Sequence, residues 1–249
     1  CLVSLSVYRL PFDRKAASYL WTGEEVKIIV IQKALQELAV LPDARRYILD
    51  EEAARHYIDL DQYDLNQVVF SSWEQMLRRK SVDSLQKHGI VPWHIPIVYQ
   101  RLVQAFVKKD SLQIIKLSAE LGHYVADAHV PLHTSSNYDG QKTGQGGLHS
   151  FWESRIPEIL NTQLDQFSGP ATFIPDVQHS AWDWVLASHK QLPHLFSMAT
   201  HVSNHFKEGE KYSFEQKGRY NIQLKVKDAA GNVLVEKGSL ISKDQALAI

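Results

Sequence analysis

The sequence predicts an all-α, multi-helix fold with a short β-rich end. Apolar residues recur at helical spacing through most of the chain up to Phe206. Alternation with a period of two begins only at Tyr220. With 249 residues, 44% hydrophobic and 22% charged, the chain has the composition of an ordinary globular protein with a sizeable core.

The elements follow in order. Glu24 to Leu41 carries Val26, Ile29, Val30, Leu35 and Leu38 on one helical face. Ser71 to His88 reads as one helix. It has Ser-Ser at the N-cap, Glu74 placed for a capping box, and Gly89 at its end. Trp93 to Lys109 is the next, with Pro96 in its first turn. Asp110 caps a helix running towards Val130, which Pro131 ends. SSNYDGQKTGQGG, residues 135–147, is a polar, glycine-rich loop. Leu148 to Leu160 is helical, as is Ser180 to Phe206, with a break near Pro193. In YNIQLKVKDAAGNVLVEKGSLI, Ala-Ala-Gly-Asn separates two β-rich runs and predicts a hairpin. The expected organisation is therefore a helical domain over 1–219 and a distinct segment over 220–249.

Composition narrows the chemistry. The formal net charge is -1, so no global basic excess advertises nucleic acid, although a binding face can still be locally basic. The single cysteine, Cys1, excludes an internal disulfide and a thiolate cluster. Any metal site must then use His, Asp and Glu. No apolar run reaches the roughly 18 residues of a spanning helix. The opening CLVSLSVYRLPF is too short and too poorly patterned for a complete signal peptide, and the true start is expected upstream.

The densest chemistry lies in HYVADAHVPLH. His123 and Asp127 are four residues apart and share a helix face. His133 follows the helix end. Beyond the loop, LHSFWE supplies His149 and Glu153, again four apart. Imidazole and carboxylate pairs on two helices are donors of the type that zinc takes. His201 and His205 are also four apart but have no carboxylate nearby in sequence, so a solvated helix face accounts for them. His129 falls on another face and is assigned a structural role. Asp59 and Asp61 sit in RHYIDLDQYD, and His94 in IVPWHIP.

These motifs resemble the zinc-dependent phospholipase C family, whose all-helical fold is shared with the single-strand-specific zinc nucleases. The likeness runs from about Leu41 to Arg219. It covers RRYILDEEAARHYIDLD, GIVPWHI, SAELGHYVADAHVPLHTSSNYDGQKTGQGGLHSFWESRIPE and KYSFEQKGR. The resemblance implies two to three zinc ions. Asp59, His94, His123 and Asp127 would hold the first, and His133, His149 and Glu153 the second. Asp127 would bridge to a third. Asp59 would also act as general base. The family completes its third site with an N-terminal tryptophan and a histidine shortly after it. This chain departs there, with Cys1 first and no histidine before His56. A role for the Cys1 amine and thiolate is the alternative way to complete that site. The segment after KYSFEQKGR also departs, since the family continues with a helix.

The resemblance implies a phosphodiester hydrolase that cleaves a phospholipid headgroup ester, with transient contact to a membrane surface and no obligate protein partner. Single-stranded nucleic acid is the alternative substrate, and a catalytically impaired zinc-binding relative is the third reading. Export, either secreted or periplasmic, is implied by the same likeness.

Overall fold

The computed structural model describes residues 28–160, 172–205, 214–217 and 220–223. Among them the chain is mostly helical. The helices are α1 (Ile28–Ala39), α2 (Leu41–Arg45), α3 (Leu65–Val68), α4 (Trp73–Leu77), α5 (Val82–Lys87), α6 (Val91–Val107), α7 (Ser111–Ala128), α8 (Leu148–Ser150), α9 (Ile156–Leu160), α10 (Val177–His189) and α11 (Leu192–Asn204). Single 3-10 turns lie at Ala53–His56, Leu60–Gln62 and Pro131–Thr134. Contacts divide the chain into two compact units, Cys1–Pro193 and His194–Ile249, and the sequence division at 219/220 falls inside the second.

The long helices start where their caps dictate. Asp110 accepts the Gln113 amide, so α7 begins at Ser111. It stops at Ala128, two residues before Val130, and Pro131 opens a 3-10 turn instead. α6 begins at Val91, so Pro92 and not Pro96 occupies its first turn, and Pro96 sits inside the helix. A proline there cannot donate to the carbonyl four residues back, which is that of Pro92. That carbonyl instead accepts Gln178 Nε2 of α10 at 3.2 Å.

The single helix expected over 71–88 is two. Ser72 caps α4 in a capping box with Gln75, not Glu74. Ser81 then accepts the Ser84 amide and starts α5 afresh. A second competent cap within ten residues explains the break. Between Leu148 and Leu160 the helix is continuous but opens into a π-helical turn at Phe151–Arg155, which joins α8 to α9. The break expected near Pro193 falls at Lys190 and Gln191, and Pro193 stands in the first turn of α11.

In the first unit, α7 packs on α6 and α1, and α10 packs on α6. The core gathers Trp93, Ile95 and Val98 of α6, Leu117 and Tyr124 of α7, and Trp182 and Val185 of α10. Trp93 is its hub. Its ring meets that of Trp182 edge-on at 5.2 Å, and its Nε1 donates to the Ser71 carbonyl at 2.8 Å. A smaller cluster seats Ile31 and Leu35 of α1 on Ala119 of α7.

The segment carrying residues 53–62 is stitched across this core by backbone bonds. Ile58 N donates to the His133 carbonyl (2.9 Å), Asp59 N to the His88 carbonyl (2.7 Å) and Ile90 N to the Ala54 carbonyl (2.7 Å). Gly89 makes the approach feasible. Its φ is +81°, and a Cβ there would stand 2.1 Å from the Tyr57 carbonyl oxygen. Gly89→Ala is expected to cost at least ~2 kcal/mol through backbone strain and collision, lowering Tm by roughly 5 °C or more at this chain length. A thermal melt within 1 °C of the parent, on the order of experimental error, would show that the close approach is not maintained.

In the second unit, Phe214–Lys217 and Tyr220–Gln223 pair antiparallel, with Lys217 opposite Tyr220 and Phe214 opposite Gln223. The strand beginning at Tyr220 thus forms, with a partner upstream, within KYSFEQKGR. The Ala229–Asn232 loop and the strand after it lie outside the described residues, as do Glu24 and Val26 of the first predicted helix and the whole stretch around Cys1.

Candidate metal centre

The site is built where the α7 end, the Ala53–His56 turn and the Pro131–Thr134 turn converge. Successive turns of α7 present His123 and Asp127 side by side, with His123 Nε2 at 3.3 Å from Asp127 Oδ2. The stitched segment brings His56 against them. His56 Nδ1 lies 2.9 Å from Asp127 Oδ2 and 3.0 Å from His123 Nε2. Asp43, from α2, reaches both imidazoles at 3.9 Å. Four donors therefore face one point.

A second group adjoins it. His133 Nε2, His149 Nε2 and Glu153 converge. The two imidazole nitrogens are 2.9 Å apart, and each stands 3.0 Å from a different oxygen of Glu153. The π-helical turn carries Glu153 while α8 carries His149, so the widened helix spans both ligand positions. Asp127 links the groups. Its Oδ2 belongs to the first, and its Oδ1 faces the rear nitrogen of His133, Nδ1, at 3.3 Å.

These two groups could hold metal ions. Donors bonded tetrahedrally to zinc at its usual nitrogen and oxygen distances stand roughly 3.3 Å from one another. The separations here, from 2.9 to 3.9 Å, bracket that value. His133 Nδ1 and His56 Nε2, the ring nitrogens turned away from the two donor points, are buried without hydrogen-bond partners among the described residues and face the carboxylates of Asp127 (3.3 Å) and Glu52 (3.7 Å). The donor set also matches zinc in kind, being imidazole and carboxylate without thiolate.

Electrostatics in the metal-free chain reflect the crowding. Burial pushes Asp127 up, but the imidazoles of His133 and His56 outweigh it and hold this carboxyl far below the usual range. Burial opposes the charge on His133, yet Asp127 and Glu153 raise it to about 10. His56 is raised for the same reason, with Asp127 and Glu52 overcoming burial. His123 goes down, because burial prevails over the pull of Asp127. A cation arriving here would take the place of the protons that now bind these groups together.

A buried network backs the first group. Glu52 is fully buried and accepts from Arg45 (3.2 Å), Arg55 (2.5 Å) and the Tyr124 hydroxyl. Its Oε1 stands 3.7 Å from His56 Nε2, the nitrogen facing away from the centre. The separation is too long for a hydrogen bond, so the carboxylate acts on the imidazole through its charge. Burial raises the Glu52 carboxyl, and His56, Arg45 and Tyr124 bring it well below its ordinary value.

No family model, no curated protein and no solved structure matches this chain.

Of the residues singled out in the sequence, His123, Asp127, His133, His149 and Glu153 are drawn together. Asp59 and His94 belong to neither donor group. Asp59 turns to His88, whose Nδ1 is 3.6 Å away, and burial and the neighbouring Asp61 raise its pKa. His94 packs edge-on to Tyr124 at 4.6 Å, and burial and nearby Arg55 lower it to about 3. The reason is the backbone stitching: it turns His56, three residues before Asp59, into the centre. Asp43 and His56 are the donors that the sequence reading did not assign, although both lie in or beside the quoted RRYILDEEAARHYIDLD. The available signal was an unassigned acid and histidine in one conspicuous block.

The other histidines are accounted for locally. His129 bonds the Val125 carbonyl at 2.7 Å and lies beside Trp184. His205 bonds the His201 carbonyl, and both are exposed. Asp61 anchors the glycine-rich loop through the Ser136 amide (2.8 Å) and hydroxyl; these bonds overcome burial and hold it down to about 2. Among the described residues no helix is long and apolar enough to cross a membrane.

Proposed function

We propose that the chain is a zinc-dependent phosphodiester hydrolase of the phospholipase C type. The observation that carries this reading is the pair of abutting donor groups joined through the two oxygens of Asp127. Zinc bound there supplies Lewis acidity, neutralising phosphate charge and acidifying water. The chain's own groups do the rest. Asp43, His56, His123 and Asp127 would hold one ion, and His133, His149 and Glu153 the other. Asp127 fixes His133 while serving the first group, so the two sites keep their spacing. Asp59 enters as general base rather than as ligand. Its raised pKa moves it towards the range in which a carboxylate exchanges protons usefully, and the Ile58–His133 backbone bond ties its segment to the second group.

The headgroup reading rests on exposed aromatics beside the ligands. Tyr138 is half exposed, and its ring lies 5.9 Å from that of His149. Trp152 is exposed on the π-helical turn. Such rings attract a quaternary ammonium. They also stack on bases, which keeps single-stranded nucleic acid as the second reading.

The test compares a chromogenic phosphocholine ester with single-stranded DNA, using protein purified without chelator and assayed for zinc. Two zincs and turnover of the ester alone are expected. Cleavage of DNA alone would transfer the assignment to the nuclease reading. Zinc without turnover of either would leave a metal-binding relative that is not a hydrolase.

A further inference from the structure

A recess of about 180 Å³ opens beside Arg45, Arg55 and Tyr124, which all bond the buried Glu52. Arg45, Arg55, Arg101 and Lys116 line it, together with His94, Tyr124 and Glu120. Two observations distinguish it from an ordinary salt-bridged surface. The first is unbalanced charge. Four cations meet three carboxylates, the buried Glu52 and Glu120 and the exposed Glu51, which pairs with Arg55 at 3.5 Å. Arg45 is bonded to both (3.2 and 2.5 Å), Arg55 to Glu52, and Lys116 approaches Glu120 at 3.9 Å. Arg101 has no hydrogen bond or ion pair among the described residues.

The second is His94. It is only 6% exposed and lines the recess, yet its imidazole has no hydrogen-bond partner among the described residues. Its ring meets that of Tyr124 edge-on at 4.6 Å. A buried imidazole without a partner in the protein is a donor or acceptor waiting for something from outside. The neighbouring guanidinium has five donors in a fixed fork, a geometry suited to planar or tetrahedral oxyanions. The volume is close to that of cavities of ~150 Å³ that accept a molecule as large as benzene, so a phosphate-sized anion is accommodated.

We propose that this recess is a binding site for a small oxyanion of the phosphate class, separate from the metal centre and held by Arg101, Arg55 and the His94 imidazole. The proposal does not depend on the hydrolase reading, because none of these three residues is a metal donor. It assigns to His94 a ligand other than zinc. It also gives Arg101 a counter-ion that the described residues do not provide.

The experiment is a calorimetric titration of the full chain, as purified, with inorganic phosphate at fixed ionic strength. It is repeated on Arg101→Ala and Arg101→Glu, and with sodium chloride as the control titrant. Arg101 is exposed and unpaired, so both variants should fold, and their zinc content and ester hydrolysis without phosphate should equal the parent's. The expected result is one phosphate-binding event in the parent that weakens roughly tenfold or more in Arg101→Ala and disappears in Arg101→Glu, with no response to chloride. Identical phosphate titrations in all three proteins would overturn the proposal, whether or not the metal centre binds phosphate as well. A loss of binding in the variants that chloride reproduces would also overturn it, by reducing the effect to general screening.

Discussion

Asp127→Asn should cost the protein the ion of its first donor group and loosen the second. One oxygen of Asp127 lies among the donors of His56 and His123, and the other faces the rear nitrogen of His133. The amide keeps the shape and removes the charge. His56 and His133 then lose the largest influence favouring a cation beside them, and one oxygen becomes an NH₂ pointing at a histidine. Zinc per chain is expected to fall from two, one for each donor group, to one or none. Phosphodiester hydrolysis should fall by roughly 10²–10³. Elemental analysis and the ester assay read both. His129→Ala is the matched control, since His129 is exposed and bonded only to the Val125 carbonyl; it should leave both unchanged. An Asp127→Asn protein with full zinc and full rate would remove the shared-carboxylate account of the centre.

The second large effect belongs to Glu52, a residue that touches no substrate. Its carboxylate has no exposure and joins Arg45, Arg55 and Tyr124 behind His56. Glu52→Gln keeps the volume but leaves Arg45 with Glu120 alone and Arg55 with the exposed Glu51 alone. Removing one partner of a buried ion pair commonly costs ~3–5 kcal/mol. At this chain length that is a fall in Tm of roughly 6–20 °C. Zinc affinity should also weaken about 10–100-fold, because His56 loses the negative charge that stands 3.7 Å behind it. The two effects separate under chelation. The loss of stability should persist with EDTA present, whereas a purely metal-mediated effect would vanish. A melt within 2 °C of the parent, below the shift expected from even ~1 kcal/mol, would show that the network is not maintained in solution.

The sequence was legible where local rules govern. Asp110 caps its helix by a bond to the residue three positions on, as its place in the sequence predicts, whereas the cap at Ser81, which splits the expected 71–88 helix, was not read. The spacings of His123 with Asp127 and of His149 with Glu153 were readable for the same reason, because a helical face is a local property. Asp43 and His56 were not. Their position depends on amide bonds from Ile58 to His133 and from Ile90 to Ala54, pairings across 75 and 36 residues that no periodicity encodes. The same stitching turns Asp59 towards His88 and leaves His94 beside Tyr124, although both sit in motifs rich in acids and aromatics. The capping of α4 was misplaced by one residue because Ser71 and Ser72 are both competent caps. The Ser71 hydroxyl donates back to the Val68 carbonyl, while the Ser72 hydroxyl accepts the Gln75 amide. Of the ligands the resemblance implies, His123, His133, His149 and Glu153 lie in the two donor groups and Asp127 adjoins both, while Asp59 and His94 stand outside them.

Pro96 has a consequence for assembly. By withholding an amide it leaves the Pro92 carbonyl vacant, and Gln178 of α10 fills it. The helix thus carries a chemical address, readable only by a side chain arriving at one height. If α10 slid by a turn, the carbonyl would be stranded and a polar amide pressed against apolar neighbours. The indole pair of Trp93 and Trp182 would separate as well. At its other end α10 sends His189 to the Thr134 hydroxyl at 3.0 Å, beside the ligand His133. A missing hydrogen bond in the middle of one helix therefore sets the longitudinal registration of another, and through it the alignment of the turn that carries His133 of the second donor group.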